Sequence, residues 1–176
     1  MQQLSDDGFG ELFRRTKRDA FHLEVQDAYA VDLESGPYTR WLAGEPDDYG
    51  WMTPWLDQVA DLTASGATVR RVRVVSRPHT DYTRWCLHVA RENIRAGEQI
   101  QYIDRADIDP ELLTADDWWL FDDEVASFNV FEPSGRFAGG AVTTDRRILA
   151  MLREVRDTVW LKSVPRDEYA AGEPQR

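Results

Sequence analysis

Between Thr68 and Ile103 the chain changes hydrophobic period twice, and this segment limits the fold more than any other. Thr68 to Ser76 reads TVRRVRVVS, with Val69, Val72, Val74 and Val75 set among arginines. That is the pattern of a strand covered well on one face and partly on the other. Pro78 and Thr80 then lead into Asp81 to Ala96, where Tyr82, Trp85, Cys86, Val89 and Ile94 recur at helical spacing before Gly97 supplies a stop. Gln99 to Ile103 forms a second strand. A helix between two strands is long enough to bring them side by side in parallel as a right-handed unit, to which the later strands are expected to add antiparallel partners.

The flanking segments extend this unit. Ser5 to about Leu23 is expected to be a helix, with Phe9, Leu12, Phe13, Ala20 and Phe21 on one face, and Leu23 to Val31 a short strand. Ser35, Gly36 and Pro37 read as a break, Tyr38 to Leu42 as a single turn, and Gly44 to Met52 as a loop. Thr53 and Pro54 open a helix that Gly66 ends. Downstream, strands are expected at Trp118 to Asp122, Val125 to Phe131 and Arg136 to Val142. The last two are joined by the hairpin turn Glu132-Pro133-Ser134-Gly135. Asp145 starts a closing helix whose stripe is Ile148, Leu149, Leu152, Val155, Val159 and Trp160. The order predicts a mixed α/β fold: one layer of mixed parallel and antiparallel sheet flanked by helices. Residues 1–164 are expected to form a single domain and 165–176 a flexible tail.

Charge is the second informative feature. The 176 residues carry a formal net charge of −11, and much of it is concentrated. Between Gln101 and Glu124 stand nine acids, Asp104, Asp107, Asp109, Glu111, Asp116, Asp117, Asp122, Asp123 and Glu124, against Arg105 alone. Such a field repels phosphate backbones and attracts basic surfaces, so direct nucleic-acid binding by this segment is not expected. No stretch is long and apolar enough to span a bilayer, and a cytoplasmic location is expected. The single Cys86, set in an apolar stripe, reads as a small buried hydrophobe.

Candidate functional residues fall into two groups. The first is the acidic segment with its paired indoles: Asp104, Asp107, Asp109, Asp116, Asp117, Trp118, Trp119, Asp122, Asp123 and Glu124. Either tryptophan could anchor an interface ringed by charge. The second is the loop leaving the strand at Ser76, where α/β sheets bind ligands. There Ser76, Arg77, His79, Asp81, Tyr82 and Arg84 could hold an anion or small ligand, against a plainer role for Thr80 or Asp81 in capping the next helix. The histidines His22, His79 and His88 have no metal-ligand spacing, and Asp116, Asp117, Asp122 and Asp123 lack a calcium-loop pattern, so no metal or cofactor is assigned. No catalytic residue is assigned either.

Several motifs together carry a resemblance: His22-Leu23-Glu24, the arginine–valine run from Arg70 to Ser76, Asp81-Tyr82, Ala96-Gly97-Glu98, Trp118 to Asp123 and Gly135-Arg136-Phe137. The chain resembles an uncharacterised actinobacterial family, of the Streptomyces type, built on a domain of unknown function. The resemblance implies a regulatory role with a protein partner, since members are often encoded beside helix-turn-helix regulators. In architecture, Thr68 to Trp160 is similar to half of a phospholipase D-like domain. That superfamily needs a His nucleophile, a Lys two residues on and an Asp five further. Matching Asp122 to the Asp puts Asp117 at the Lys and Ala115 at the His, so the resemblance implies the fold without the chemistry. The sequence is thus expected to encode a non-catalytic regulatory or adaptor protein whose acidic segment docks a basic helix-turn-helix partner. The alternatives are a phosphodiesterase-like or small-ligand-binding enzyme using the Ser76 to Arg84 loop, and a structural homo-oligomer.

Overall fold

The computed structural model describes residues 2–4, 6–132, 134 and 136–172. In chain order the elements are β1 (Gln2–Leu4), α1 (Asp6–Arg15), β2 (Asp19–Glu24), α2 (Asp32–Leu42), α3 (Thr53–Ala64), β3 (Thr68–Val75) and α4 (Asp81–Arg95). They continue with β4 (Gln99–Asp104), β5 (Asp117–Phe121), β6 (Val125–Phe131), β7 (Phe137–Thr143), α5 (Arg146–Lys162), β8 (Val164–Pro165) and α6 (Arg166–Ala171). Three short 3-10 turns lie at Gly50–Met52, Arg105–Asp107 and Pro110–Leu112.

One eight-stranded sheet runs in the order β1-β7-β6-β5-β2-β3-β4-β8. The strands β2, β3 and β4 are parallel, and every other pairing is antiparallel. The expected mixed sheet flanked by helices is therefore present, with the β3–α4–β4 crossover in the half of the sheet toward β8. Local chemistry sets the boundaries of α4: the Thr80 hydroxyl accepts the Thr83 N–H at its start, and Gly97 follows its end at a φ of 109° that favours glycine. Asp145 caps α5 in the same way, accepting from the N–H groups of Arg147 and Ile148.

Period-two alternation in the central strands gives the sheet two different faces. On one, Phe21, Leu23, Val72, Val74, Trp118 and Leu120 pack against Leu149, Leu152, Val155 and Val159 of α5. On the other, α1 and α3 bring Phe13, Val59 and Leu62 onto Ala20, Val69, Trp119 and Phe121, while Leu87 and Ala90 of α4 meet Ile100 and Tyr102.

Three expectations are corrected. The first helix stops at Arg15, and Asp19–Glu24 is a strand, because Ala20 to Glu24 are buried on both faces of the sheet, a requirement that overrides the helical spacing of Ala20 and Phe21. Residues 32–42 form a full helix through Pro37, whose ring is buried, so the Ser-Gly-Pro run is no break. The end of the chain from Pro165 to Ala171 is no flexible tail. Arg166 and Tyr169 of α6 are buried, the guanidinium donating twice to the Leu87 carbonyl at 2.8 and 2.7 Å. Residues 173–176 of the expected tail, and Pro133 and Gly135 of the expected hairpin turn, lie outside the described residues. Among the described residues no helix is long and apolar enough to cross a membrane.

Candidate functional site

The face of the sheet beneath α3 and α4 is polar at its centre. Alternation in β2 points Ala20, His22 and Glu24 that way, and in β3 it points Val69, Arg71 and Arg73. The imperfect valine–arginine alternation of the sequence thus becomes two guanidiniums inside the protein. Arg71 donates from Nε to Glu98 Oε1 and from Nη1 to Glu24 Oε1, both at 2.7 Å. Arg73 sits against Glu24 Oε2 as an ion pair, without the angle of a directional hydrogen bond. Asn93 of α4 donates to the second oxygen of Glu98 at 2.8 Å. Glu98 is thus hydrogen-bonded at both oxygens, and Glu24 is held by one hydrogen bond and one ion pair. A guanidinium carries five N–H donors, and these contacts leave N–H groups of both arginines without a partner among the described residues.

The surroundings set the protonation states. Burial tends to raise the Glu24 carboxyl, but Arg71 and Arg73 outweigh it and bring it down to about 2. His22 is pushed down to about 3, chiefly by burial, so its imidazole is neutral. It stacks on Trp119 with ring centroids 4.1 Å apart, and its Nδ1 lies 3.5 Å from Glu24. Asp117 at the start of β5 is raised to about 7 by burial and then by Glu24, although it accepts the Val25 N–H at 2.7 Å.

Above this charged centre lies a cavity of about 780 Å³, within the range typical of small-molecule sites. Its walls are aromatic and apolar, with Trp51, Trp55, Trp85, Tyr102 and Trp119 among them, and Arg71, Arg73, Asn93 and Asn129 contribute polar groups. On the side of α2, Glu34 accepts from the Tyr82 hydroxyl and Leu33 is 62% exposed. The buried indole N–H of Trp55 has no hydrogen-bond partner among the described residues.

The residues singled out from the sequence do not assemble as expected. Trp118 and Trp119 are on opposite faces of the sheet at 0% and 3% exposure, so neither anchors an external interface. Asp117 is buried as well. Asp122, at a φ of 51°, accepts the N–H groups of Lys17, Arg18 and Asp19 at 2.8, 2.7 and 2.9 Å, which pins the turn before β2. Asp123 is paired with Arg156, Glu124 with Arg18, and Asp104 with Arg77 and the Tyr169 hydroxyl. Asp116 is half-buried, and Asp107 and Asp109 remain exposed with Glu111 between β4 and β5.

The Ser76 loop is similarly committed. Ser76 donates its N–H and hydroxyl to Asp27 at 2.8 and 2.7 Å and accepts from Arg105. His79 is buried, with Nδ1 donating to the Ser76 carbonyl and Nε2 facing the Tyr169 hydroxyl, each at 3.0 Å. Arg77 donates to Asp104, and Arg84 pairs with Asp81 one turn away. Of that group only Tyr82 approaches the cavity, through Glu34. Sequence reasoning missed this cluster because Arg71, Arg73, Glu24 and Glu98 come from separate segments. Two arginines at strand period two, on a strand otherwise buried, were the available signal.

No group of three or more His, Cys, Asp or Glu side chains placed to hold a metal occurs among the described residues. The fold is similar to that of a phospholipase D family member, Nuc from Salmonella typhimurium. The TM-score is 0.52 at 8% identity, over 89% of this chain and 86% of that one, and the likeness shows the fold alone. A second structure, TrmBL2, an archaeal chromatin protein, gives a TM-score of 0.47 at 13% identity, over 89% of this chain and 49% of that one, too weak to carry an argument. No curated protein matches the sequence. A family model described as "Domain of unknown function (DUF6879)" matches residues 7–171. With that match running from the first helix to the last, the chain belongs to the DUF6879 family.

Proposed function

We propose that this chain is a small-molecule-binding domain whose site is the aromatic cavity between the charged sheet face and helices α2, α3 and α4. The observation that carries the reading is the joining of a cavity of about 780 Å³ to a polar centre with unspent donors. A buried polar network is costly unless satisfied, and a ligand that completes it offsets that cost. A hydrolytic role has less support, since the positions matched to the phospholipase D His and Lys are Ala115 and Asp117. Indole serves as a neutral probe, titrated while the side-chain amide signals of Gln58, Asn93 and Asn129 are followed by NMR. Shifts that saturate in the parent and vanish in Ala90→Trp, which fills the cavity from α4, support the reading. Their absence in the parent, or their survival in the filled variant, overturns it.

A second reading keeps a basic helix-turn-helix partner, with the docking surface reduced to Asp107, Asp109 and Glu111. These three are exposed, and none forms an ion pair among the described residues, unlike the acids that follow β5. Capture of the partner that weakens with salt and with Asp107→Lys plus Asp109→Lys favours it. Capture insensitive to both excludes it.

A further inference from the structure

Unspent donors at the cavity indicate the class of occupant. Glu98 is taken up by Arg71 and Asn93, and Glu24 by Arg71 together with the ion pair to Arg73. N–H groups of Arg71 and Arg73, both of which line the cavity, have no partner among the described residues. Trp55 lies close to Arg71, with the guanidinium carbon 5.9 Å from the ring centroid. A ligand that completes these groups must therefore bring acceptors. Guanidinium donors bond most strongly to ionised oxygens and present a planar fork that matches a carboxylate. The aromatic walls in turn favour a flat, apolar body.

Charge narrows the choice further. The two arginines are already matched by two carboxylates, and Glu34 and Asp117 add acidic groups nearby. One additional negative charge is tolerable where the donors converge. Two on a single group, as on a phosphate monoester, would meet these acids with no further cation to balance them. A cationic amine would face the guanidiniums and leave their N–H groups unspent.

We propose that the ligand is a monoanionic, ring-bearing carboxylate, its ring against the tryptophan wall and its carboxylate on Arg71 and Arg73. This rests on the binding role proposed above and adds the ligand's chemistry. The test compares four indoles on the full chain by isothermal titration: indole-3-acetate, indole-3-acetamide, tryptamine and indol-3-yl phosphate. The acetate is expected to bind about tenfold more tightly than the neutral acetamide, the difference between a charged and a neutral hydrogen-bonding partner. Tryptamine is expected to bind weakest, and the phosphate more weakly than the acetate. Arg73→Met should abolish the preference for acetate over acetamide while leaving acetamide binding in place, Glu24 keeping Arg71 as its partner. Equal affinity for acetate and acetamide overturns the proposal and leaves the cavity reading standing, as does tightest binding of the amine or the phosphate. An undiminished preference in folded Arg73→Met also overturns it. If none of the four binds, both readings fall together.

Discussion

At the scale of single residues, the buried centre ties stability to pH through two opposing groups. His22 is lowered from 6.5 to about 3, chiefly by burial. The folded protein therefore binds its proton more weakly than the unfolded chain does, and stability rises with pH from about 3 to about 6.5. Asp117 is raised from 3.8 to about 7, by burial first and Glu24 second. Here the folded protein binds the proton more tightly, so stability falls from about pH 4 to about pH 7. Glu34, also raised chiefly by burial, acts in the same direction as Asp117. Between roughly pH 4 and 6.5 each fully shifted group contributes a slope of about 1.4 kcal/mol per pH unit, of opposite sign. Asp117→Asn removes one side of that opposition. Urea unfolding across this range is expected to give a variant whose stability climbs relative to the parent's by about 1 kcal/mol per pH unit; parallel profiles would contradict the assignment. None of this was legible in the sequence. Asp117 stood in a run of acids and looked solvated, and only its pairing opposite Asn129, on a strand buried from end to end, shows that it points inward.

At the scale of elements, legibility followed the strength of local signals. The α4 and α5 boundaries were readable because Thr80 and Asp145 are capping residues and Gly97 a stop, each acting within a few residues of itself. The start of β2 was not, because what ends the preceding helix is Asp122, more than a hundred positions away in sequence, gathering three backbone N–H groups. The last helix was missed for a related reason. Arg166 and Tyr169 look like surface residues in a polar ending, yet Tyr169 stacks on Tyr102 with centroids 5.2 Å apart and bonds Asp104 and His79. Ending the chain after Pro165 should therefore cost on the order of 3 kcal/mol, the cost of deleting a buried aromatic side chain together with its hydrogen bonds. Chemical denaturation would measure it. A truncated chain as stable as the parent would restore the tail as a dispensable extension.

At the scale of the whole molecule, the mixed sheet was legible because the change from strand period to helical period and back between Thr68 and Ile103 admits few topologies. The candidate site was not. Concentrated acidity drew attention to Asp104 through Glu124, but three-dimensional pairing spends most of those charges on turns and strand ends, as with Asp122, Asp123 and Glu124. The charges that meet the cavity come from Glu24, Arg71, Arg73 and Glu98, spread along the first hundred residues and together neutral, so no window of composition could register them.

That quartet also constrains how the protein can change over time. Glu24 answers to two guanidiniums and Arg71 to two carboxylates, so a lineage that altered Glu24 alone would strand Arg73, and one that altered Arg71 alone would strand Glu98, in the interior. Such a step is heavily penalised, whereas exchanging whole pairs for apolar residues of similar bulk is often neutral. Glu24 and Arg71 are therefore bound to a common evolutionary fate, kept together or surrendered as a matched pair.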